Sequence, residues 1–270
     1  MADYPEARLA DYWARQRRRP HIIGREIYHL ASVGSTMDVA RELAASAGGE
    51  GLVVRAEEQT AGRGRQGRRW VAPAGTSLLF TVVLRPPLQA VEALPMAAAV
   101  AVVRAVRRAT GLNPAIKWPN DLVVDGRKFG GILVETEFFG NELAWALVGI
   151  GLNVNWDPGS EVPKLAGQAT GLARELGRPV DREVLFREVL LELDRAYIRL
   201  LGGWSPFWAW RRRLITVGRE VEVVAGSEKL RGLAAGVDRA GRLRLRTESG
   251  RSRVISFGDV FSLVRPGPAQ

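Results

Sequence analysis

From residue 34 the apolar positions first recur at helical spacing. In GSTMDVARELAASAGG, Val39, Ala40, Leu43, Ala44 and Ala47 form one stripe, Ser35 can cap the first turn, Asp38 lies in it, and Gly48-Gly49 ends it. GLVVRAEEQ and TSLLFTVVLRP are apolar runs of strand length separated by a loop. Pro95 suits the first turn of a helix over Leu94 to Thr110, with Gly111 as its stop. LVVDGRKFGGILVE then sets Asp125-Gly126 between two β-type runs, which predicts a two-residue hairpin. LAWALVGIGLNVN continues that sheet after a turn around Gly140-Asn141. Beyond Asp181, Val184, Leu185, Val189, Leu190, Leu193, Ala196, Tyr197 and Leu200 predict a long amphipathic helix ending at Gly202-Gly203. WSPFWAWRRR predicts a short helix with its tryptophans packed inward, in preference to a Trp–Arg surface that stacks on bases.

At about Ile215 the pattern changes to short β segments separated by AGSEK, DRAG and TESG turns. That tail is too short for a sandwich and suits a small barrel, so a boundary is expected near Leu214.

Composition removes several chemistries. The chain has no cysteine, so thiolate metal sites, disulfides and a Cys nucleophile are excluded, and two histidines, His21 and His29, make a Ser-His-Asp triad or a His-rich metal cluster an unlikely basis for catalysis. Catalysis then rests on Arg, Lys, Asp/Glu and backbone donors. The N-terminus lacks an apolar signal-peptide core, and the longest apolar run, Leu94 to Val103, is far shorter than the ~18 residues of a membrane span, so a cytoplasmic protein is expected. The net charge is +10, and all but four of the 39 basic residues are arginine, the lysines being Lys117, Lys128, Lys164 and Lys229. This charge is spread along the chain, which favours acidic ligands over a dedicated nucleic-acid tail.

Two segments carry candidate chemistry. GRGRQGRRW at 62 to 70 has the spacing Gly62-x-Gly64-x-x-Gly67 of a dinucleotide fingerprint. That fingerprint must open a helix and be followed by an acid about 20 residues on, whereas Pro73 and Gly75 forbid the helix and TVVLRPP stands where the acid belongs. Kinase and Walker patterns are also absent. What remains is either a solvated basic turn or a loop whose glycines let backbone N–H groups and guanidinium forks approach an anion. The second segment, KWPNDLVVDGRKFGG at 117 to 131, brings Lys128 back across the hairpin toward Asp121, near Lys117 and Asn120. Two cations and one carboxylate at a sheet end suit a nucleoside triphosphate with Mg²⁺, although a hairpin with surface lysines would share the pattern.

These stretches, together with GST at 34 to 36, EEQTAGRGRQGRRW at 57 to 70, KWPNDL at 117 to 122, GRKFGGILVE at 126 to 135 and VGIGLNVN at 148 to 155, resemble biotin protein ligase from about residue 25 to 266. The resemblance implies an α+β fold, with a mixed sheet and flanking helices related to class II aminoacyl-tRNA synthetases. It divides the chain into a lead-in at 1–24, a catalytic biotin/ATP-binding domain at 25–214 and a small SH3-like barrel at 215–270. It also implies that biotin and MgATP give biotinyl-5′-adenylate and pyrophosphate, after which biotin passes to a lysine of the carrier domain of a biotin-dependent carboxylase. A homodimer is the family expectation.

Residue by residue, the resemblance implies that Ser35 and Thr36 contact biotin, and that Gln59 and the Arg63-Gly64-Arg65 segment form the biotin and adenylate loop. Trp70 matches an aromatic that packs by the adenine, and Lys117 a biotin and phosphate cation. Asn120, Asp121, Lys128 and Asn153 fall at nucleotide and catalytic positions. Arg63, Lys117, Asp121 and Lys128 are thus the expected catalytic set, with Asp121 either a Mg²⁺ ligand or the group that orients the incoming lysine amine. Met37 departs from the pattern, which usually has Asn there. Residues 62 to 69 are expected to close over the adenylate and to be poorly ordered without ligand. The rivals are a lipoate-type ligase, against which the absence of an Arg-Arg-x-x-Gly-Gly-Gly segment argues, and a DNA-binding regulator. For the latter, about 25 residues before the ligase-like region are too few for a helix-turn-helix domain.

Overall fold

The structure is a computed structural model that describes residues 22–46 and 49–262. The helix stop expected at Gly48, the lead-in arginines and His21 lie outside the described residues.

Seven strands form the first sheet: β1 (Ile27–Leu30), β2 (Val53–Ala56), β3 (Ser77–Leu84), β4 (Ala115–Lys117), β5 (Asp121–Val124), β6 (Arg127–Phe139) and β7 (Glu142–Asn153). Their order is β1-β2-β3-β7-β6-β5-β4, with β1 and β2 parallel and every other pair antiparallel. The helices are α1 (Thr36–Ser46), α2 (Leu94–Thr110), α3 (Arg182–Leu201) and α4 (Phe207–Arg211), with short helical turns between them. Residues 220–262 form a second, antiparallel sheet of β8 (Glu220–Ala225), β9 (Glu228–Val237), β10 (Leu243–Thr247), β11 (Ser252–Ile255) and β12 (Asp259–Ser262), in the order β11-β10-β9-β8-β12. This is the mixed sheet with flanking helices, followed by a small β domain, that the sequence led us to expect.

The period-two alternation of the strands decides what each face of the first sheet does. On β7, Val148, Ile150 and Leu152 join the main core with α2 and α3, while Leu147 turns to the other face and packs with α1. On β3, Phe80 and Val82 face the main core and Val83 faces α1. Both faces are covered, so all eight residues of β3 are buried, and the strand reads as an unbroken apolar run instead of an alternating one. Phe80 meets Phe186 of α3 edge to face at 5.2 Å.

Helix boundaries follow local chemistry. Pro95 sits in the first turn of α2, and Gly111, at φ 79°, accepts the left-handed conformation that ends it. Asp181 caps α3 by accepting from the Glu183 and Val184 N–H groups. At the hairpin, Asp125 (φ 49°) and Gly126 (φ 79°) make the predicted two-residue turn. Of the three tryptophans in WSPFWAWRRR, however, only Trp210 is buried; Trp208 is 50% exposed and Trp204 half-buried, so the inward packing expected of this stretch holds for one tryptophan alone. A helix of five residues has one core-facing side, and Trp208 falls off it.

The two sheets meet at Trp118. Its side chain is fully buried, its backbone N–H donates to Thr216 Oγ1 at 2.9 Å, and its indole N–H donates to the Gly241 carbonyl at 2.8 Å. The chain entering the second sheet runs beside β4: Ile116 N–H donates to the Arg213 carbonyl and Ile215 N–H to that of Ile116.

Candidate active site

The face of the first sheet that carries α1 has a floor without side chains. Gly149 and Gly151 of β7 lie on that face, and Gly131 of β6 is the register partner of Gly151. A Cβ on Gly151 would lie 2.6 Å from the Trp70 ring, and one on Gly149 would lie 2.9 Å from Met37 Sδ. Glycine is therefore required at both, because the indole and the thioether rest directly on the backbone. Met37 is buried with Leu30, Val39, Trp145 and Leu147, so the departure from Asn noted in the sequence fills a core position. We expect Gly151→Val to displace Trp70 while costing only about 1–3 kcal/mol of stability; near-ultraviolet circular dichroism and urea melts on the same protein separate the two effects.

At one end of this floor lies the start of α1. Ser35 and Thr36 are buried there. The Ser35 carbonyl accepts from Asp38 and Val39, and its hydroxyl accepts from Met37 N–H. Thr36 donates to Gln59 Oε1 from both its N–H (2.7 Å) and its hydroxyl (3.0 Å), and its hydroxyl also meets that of Thr81 on β3 at 2.9 Å. Ser35, Thr36 and Gln59 thus lie together at this end. Thr81 was not singled out in the sequence, where it reads as one more β-branched strand residue.

The GRGRQGRRW loop is folded over this end as a narrow hairpin. Gly64 N–H donates to the Arg68 carbonyl (2.7 Å) and Trp70 N–H to that of Gly62 (2.9 Å), around a turn with Gln66 and Gly67 at positive φ. A Cβ on Gly62 would strike the Trp70 carbonyl at 2.5 Å. The arginines clasp the loop to its surroundings. Arg63 forks onto both oxygens of Asp38 (2.7 and 2.6 Å), holding that carboxyl below its ordinary range. Arg65 donates to Asn120 Oδ1 and to the Gly258 carbonyl, each at 3.3 Å. Arg68 pairs with Asp259, and Arg69 donates to the Thr60 carbonyl. Asp38, Gly258 and Asp259 were invisible as partners in the sequence, since only folding brings α1 and the second sheet to this loop.

The other end holds the cations. Lys117 is the register partner of Asp121. A bulge between Leu122 and Val123 sets Lys128 opposite Val123, whose face Asp121 shares, and Lys128 Nζ reaches Asp121 Oδ1 at 2.5 Å. Asn120 is fixed by its amide donating to the Ile132 carbonyl at 2.6 Å. Lys128 Nζ also lies 5.6 Å from the Trp70 ring and Lys117 Nζ 5.9 Å from that of Phe261 in the second sheet. Burial lowers the Lys117 pKa most, Asp121 opposes this, and Lys128 and Arg68 lower it further. Arg65 is likewise lowered, chiefly by burial. Positive charge here exceeds what Asp121 and Asp259 balance, which is the electrostatic signature of an anion site.

Two buried polar atoms are open on this floor. Asn153 is buried and donates to the Thr170 carbonyl, but its Oδ1 has no partner among the described residues; neither has Trp70 Nε1. Such atoms are costly unless a ligand or water meets them. No group of three or more His, Cys, Asp or Glu able to hold a metal occurs among the described residues, and Asp121 is already paired. One carboxylate suits an ion that arrives on a triphosphate better than a dedicated protein cage. Ser35, Thr36, Gln59, Arg63, Gly64, Arg65, Trp70, Lys117, Asn120, Asp121, Lys128 and Asn153 therefore all lie along one face and its rim.

A glycine-floored sheet face, an arginine loop over it and a lysine–carboxylate cluster at its end make up one candidate anion site. The model of the Biotin/lipoate A/B protein ligase family matches residues 30–153, and that of the Biotin protein ligase C terminal domain matches residues 216–262. The chain is similar to the biotin--[acetyl-CoA-carboxylase] ligase of Mycobacterium tuberculosis, 36% identical over 249 residues and covering 88% of this chain and 90% of that one. It is 37% identical to the corresponding ligase of Paracoccus denitrificans over 243 residues, covering 86% and 98%. The biotin protein ligase of Aquifex aeolicus, solved with biotin and ATP, superposes with a TM-score of 0.73 at 27% identity over 88% of this chain and 99% of that one. The chain belongs to the biotin protein ligases, and the second sheet is their C-terminal domain.

The lowered Lys117 sets a pH dependence. Its charge is lost as pH rises through a pKa below the ordinary 10.5, so kcat/KM for ATP should begin its alkaline fall below the ordinary lysine range. A bound polyanion favours the charged form, so the limb of kcat should lie higher. Lys117→Arg should push the kcat/KM limb upward; an unmoved limb would assign it to another group.

Proposed function

We propose that this protein activates biotin with MgATP as biotinyl-5′-adenylate, releasing pyrophosphate, and then passes the biotinyl group to a lysine of a biotin carboxyl carrier domain, releasing AMP. The observation that carries this reading is the convergence of Arg65, Lys117 and Lys128 on the single carboxylate of Asp121, beside a glycine floor that ends at Ser35, Thr36 and Gln59. A fused-ring acid lies beside Trp70, with its polar ring at the Thr36–Gln59 end and its carboxylate toward the cations. Arg63, Arg65, Lys117 and Lys128 offset the repulsion between that carboxylate and the triphosphate, and stabilise charge building on the α-phosphoryl oxygens. Trp70, Asn120 and Asn153 take the nucleotide end, with Asn153 Oδ1 open to a donor. Asp121 would be the protein group that holds Mg²⁺, which would supply neutralising charge to the phosphates.

In the second step Asp121 orients the incoming lysine amine and helps remove its proton. The adenylate is a mixed anhydride that water destroys, and the clasped arginine loop excludes water from it. A homodimer and a cytoplasmic setting belong to the same proposal; no helix among the described residues is long and apolar enough to cross a membrane.

Pyrophosphate exchange into ATP tests the first step: it should depend on biotin and not on lipoate, and the reverse dependence would replace this reading with the lipoate one. Asp121→Asn should slow transfer from preformed biotinyl-adenylate; a full transfer rate would leave Asp121 only a Mg²⁺ role. Trypsin should cut within residues 62 to 69 more slowly once biotin and ATP are present, and equal cutting would remove the closing role of the loop.

A further inference from the structure

On the opposite side of the first sheet, away from the ligase face, α2, α3 and α4 frame a groove of about 610 Å³. Arg104, Arg199 and Arg212 line it together with Trp204, Ser205 and Trp208. The volume is in the range of sites that hold a compact organic ligand. Its lining is unusual for a solvated helix surface in two ways.

First, its positive charge is unbalanced. Among the described residues none of Arg104, Arg107, Arg199, Arg211, Arg212 and Arg239 pairs with a carboxylate, whereas Arg108 and Arg195 nearby both pair with Glu192. The field is felt within the cluster: Arg213 is lowered by burial and then by Arg104 and Arg107. Second, the arginines stand around two aromatic rings, one half-buried and one exposed. Arg199 lies 4.2 Å from the Trp204 ring, and Arg211 and Arg239 lie 5.5 and 5.3 Å from that of Trp208, which is half exposed. A tryptophan without a core role costs solubility and gains nothing from solvent. Guanidinium forks bind phosphates bidentately, and exposed indoles stack on bases, so unpaired arginines interleaved with tryptophans match a strand that offers both groups.

We propose that this groove binds single-stranded nucleic acid without sequence preference, through phosphate contacts from Arg104, Arg199 and Arg212 and stacking on Trp208. Double-stranded nucleic acid fits less well, because its bases are already stacked and closed to Trp208. The site is separate from the ligase face and does not depend on the proposed reaction.

The test is fluorescence anisotropy of the full chain with a labelled oligothymidylate of about 12 nucleotides, a length in the range of single-strand sites. Trp208→Ala should weaken binding about tenfold, the effect of losing one base–aromatic stack, while Trp208→Phe retains most of it. Arg199→Gln with Arg212→Gln should reduce the slope of log affinity against log salt by roughly 1.4, the share of two phosphate contacts. All three variant positions lie outside the ligase site, so biotin-dependent pyrophosphate exchange should stay at the wild-type rate and report an intact fold. Wild-type binding to an abasic strand as tight as to oligothymidylate overturns the proposal. So does an unchanged affinity in Trp208→Ala, or no binding by the full chain at low ionic strength.

Discussion

Lys117→Gln should lower biotin-dependent pyrophosphate exchange by about 10²–10³-fold, the cost of removing one preorganised donor from developing oxyanion charge. Lys117 is mostly buried and flanked by Lys128 and Arg68, so its charge acts where water screens it little. Glutamine is one atom shorter but keeps a hydrogen-bond donor, so the main change is loss of the charge. The fold should survive, because neutralising a lysine whose burial already disfavours the charged form relieves a cost instead of adding one. Single-turnover measurement of adenylate formation is the decisive readout. A loss confined to KM for ATP would make Lys117 a binding group only, whereas a loss in the rate at saturation places it on the transition state.

The largest effect on stability is expected at the neighbouring residue. Trp118→Ala should cost about 3–5 kcal/mol, as for other fully buried aromatic truncations. The indole fills the junction between the two sheets and donates to Gly241, so its loss opens a cavity and leaves that carbonyl without its partner. Urea unfolding at constant m-value measures the loss. Activity should fall with it, because Trp118 lies between Lys117 and Asn120 and its backbone N–H is tied to Thr216. Trp118→Phe, which keeps most of the volume and loses the indole bond, should cost only about 1–3 kcal/mol and retain activity. Equal stability of Trp118→Ala and wild type would mean that the two sheets do not depend on this junction.

Much of the scaffold was legible locally. Pro95 and Gly111 bracket α2 because each acts through its own backbone conformation, and Asp125-Gly126 turns the hairpin for the same reason. β1 and β4 were not read, since β4 has only three residues and the IYHL of β1 lacks the unbroken apolar run that marks β2 in GLVV. The expected site residues do gather on one face, because KWPND and GRGRQGRRW are each continuous segments whose internal geometry is short-range. Their partners were not legible. Arg63 could be seen as a working charge, but Asp38 as its acceptor depends on α1 and the loop meeting over β7. Arg68 is an anchor because Asp259 is carried to it on the second sheet.

The sequence by itself determined the kinds of chemistry available, the two motifs, the ends of the long helices and the change of pattern near residue 215. These follow from residue type and near-neighbour spacing, which act before the chain is compact. Only the tertiary structure decided which face of the first sheet is a site. Gly149 and Gly151 become a floor, and not merely weak points in a strand, because Met37 and Trp70 come from distant segments to lie on them. It decided equally that Trp210 is core while Trp208, two residues away, faces solvent among unpaired arginines. Both outcomes depend on long-range packing against elements whose positions no local period encodes.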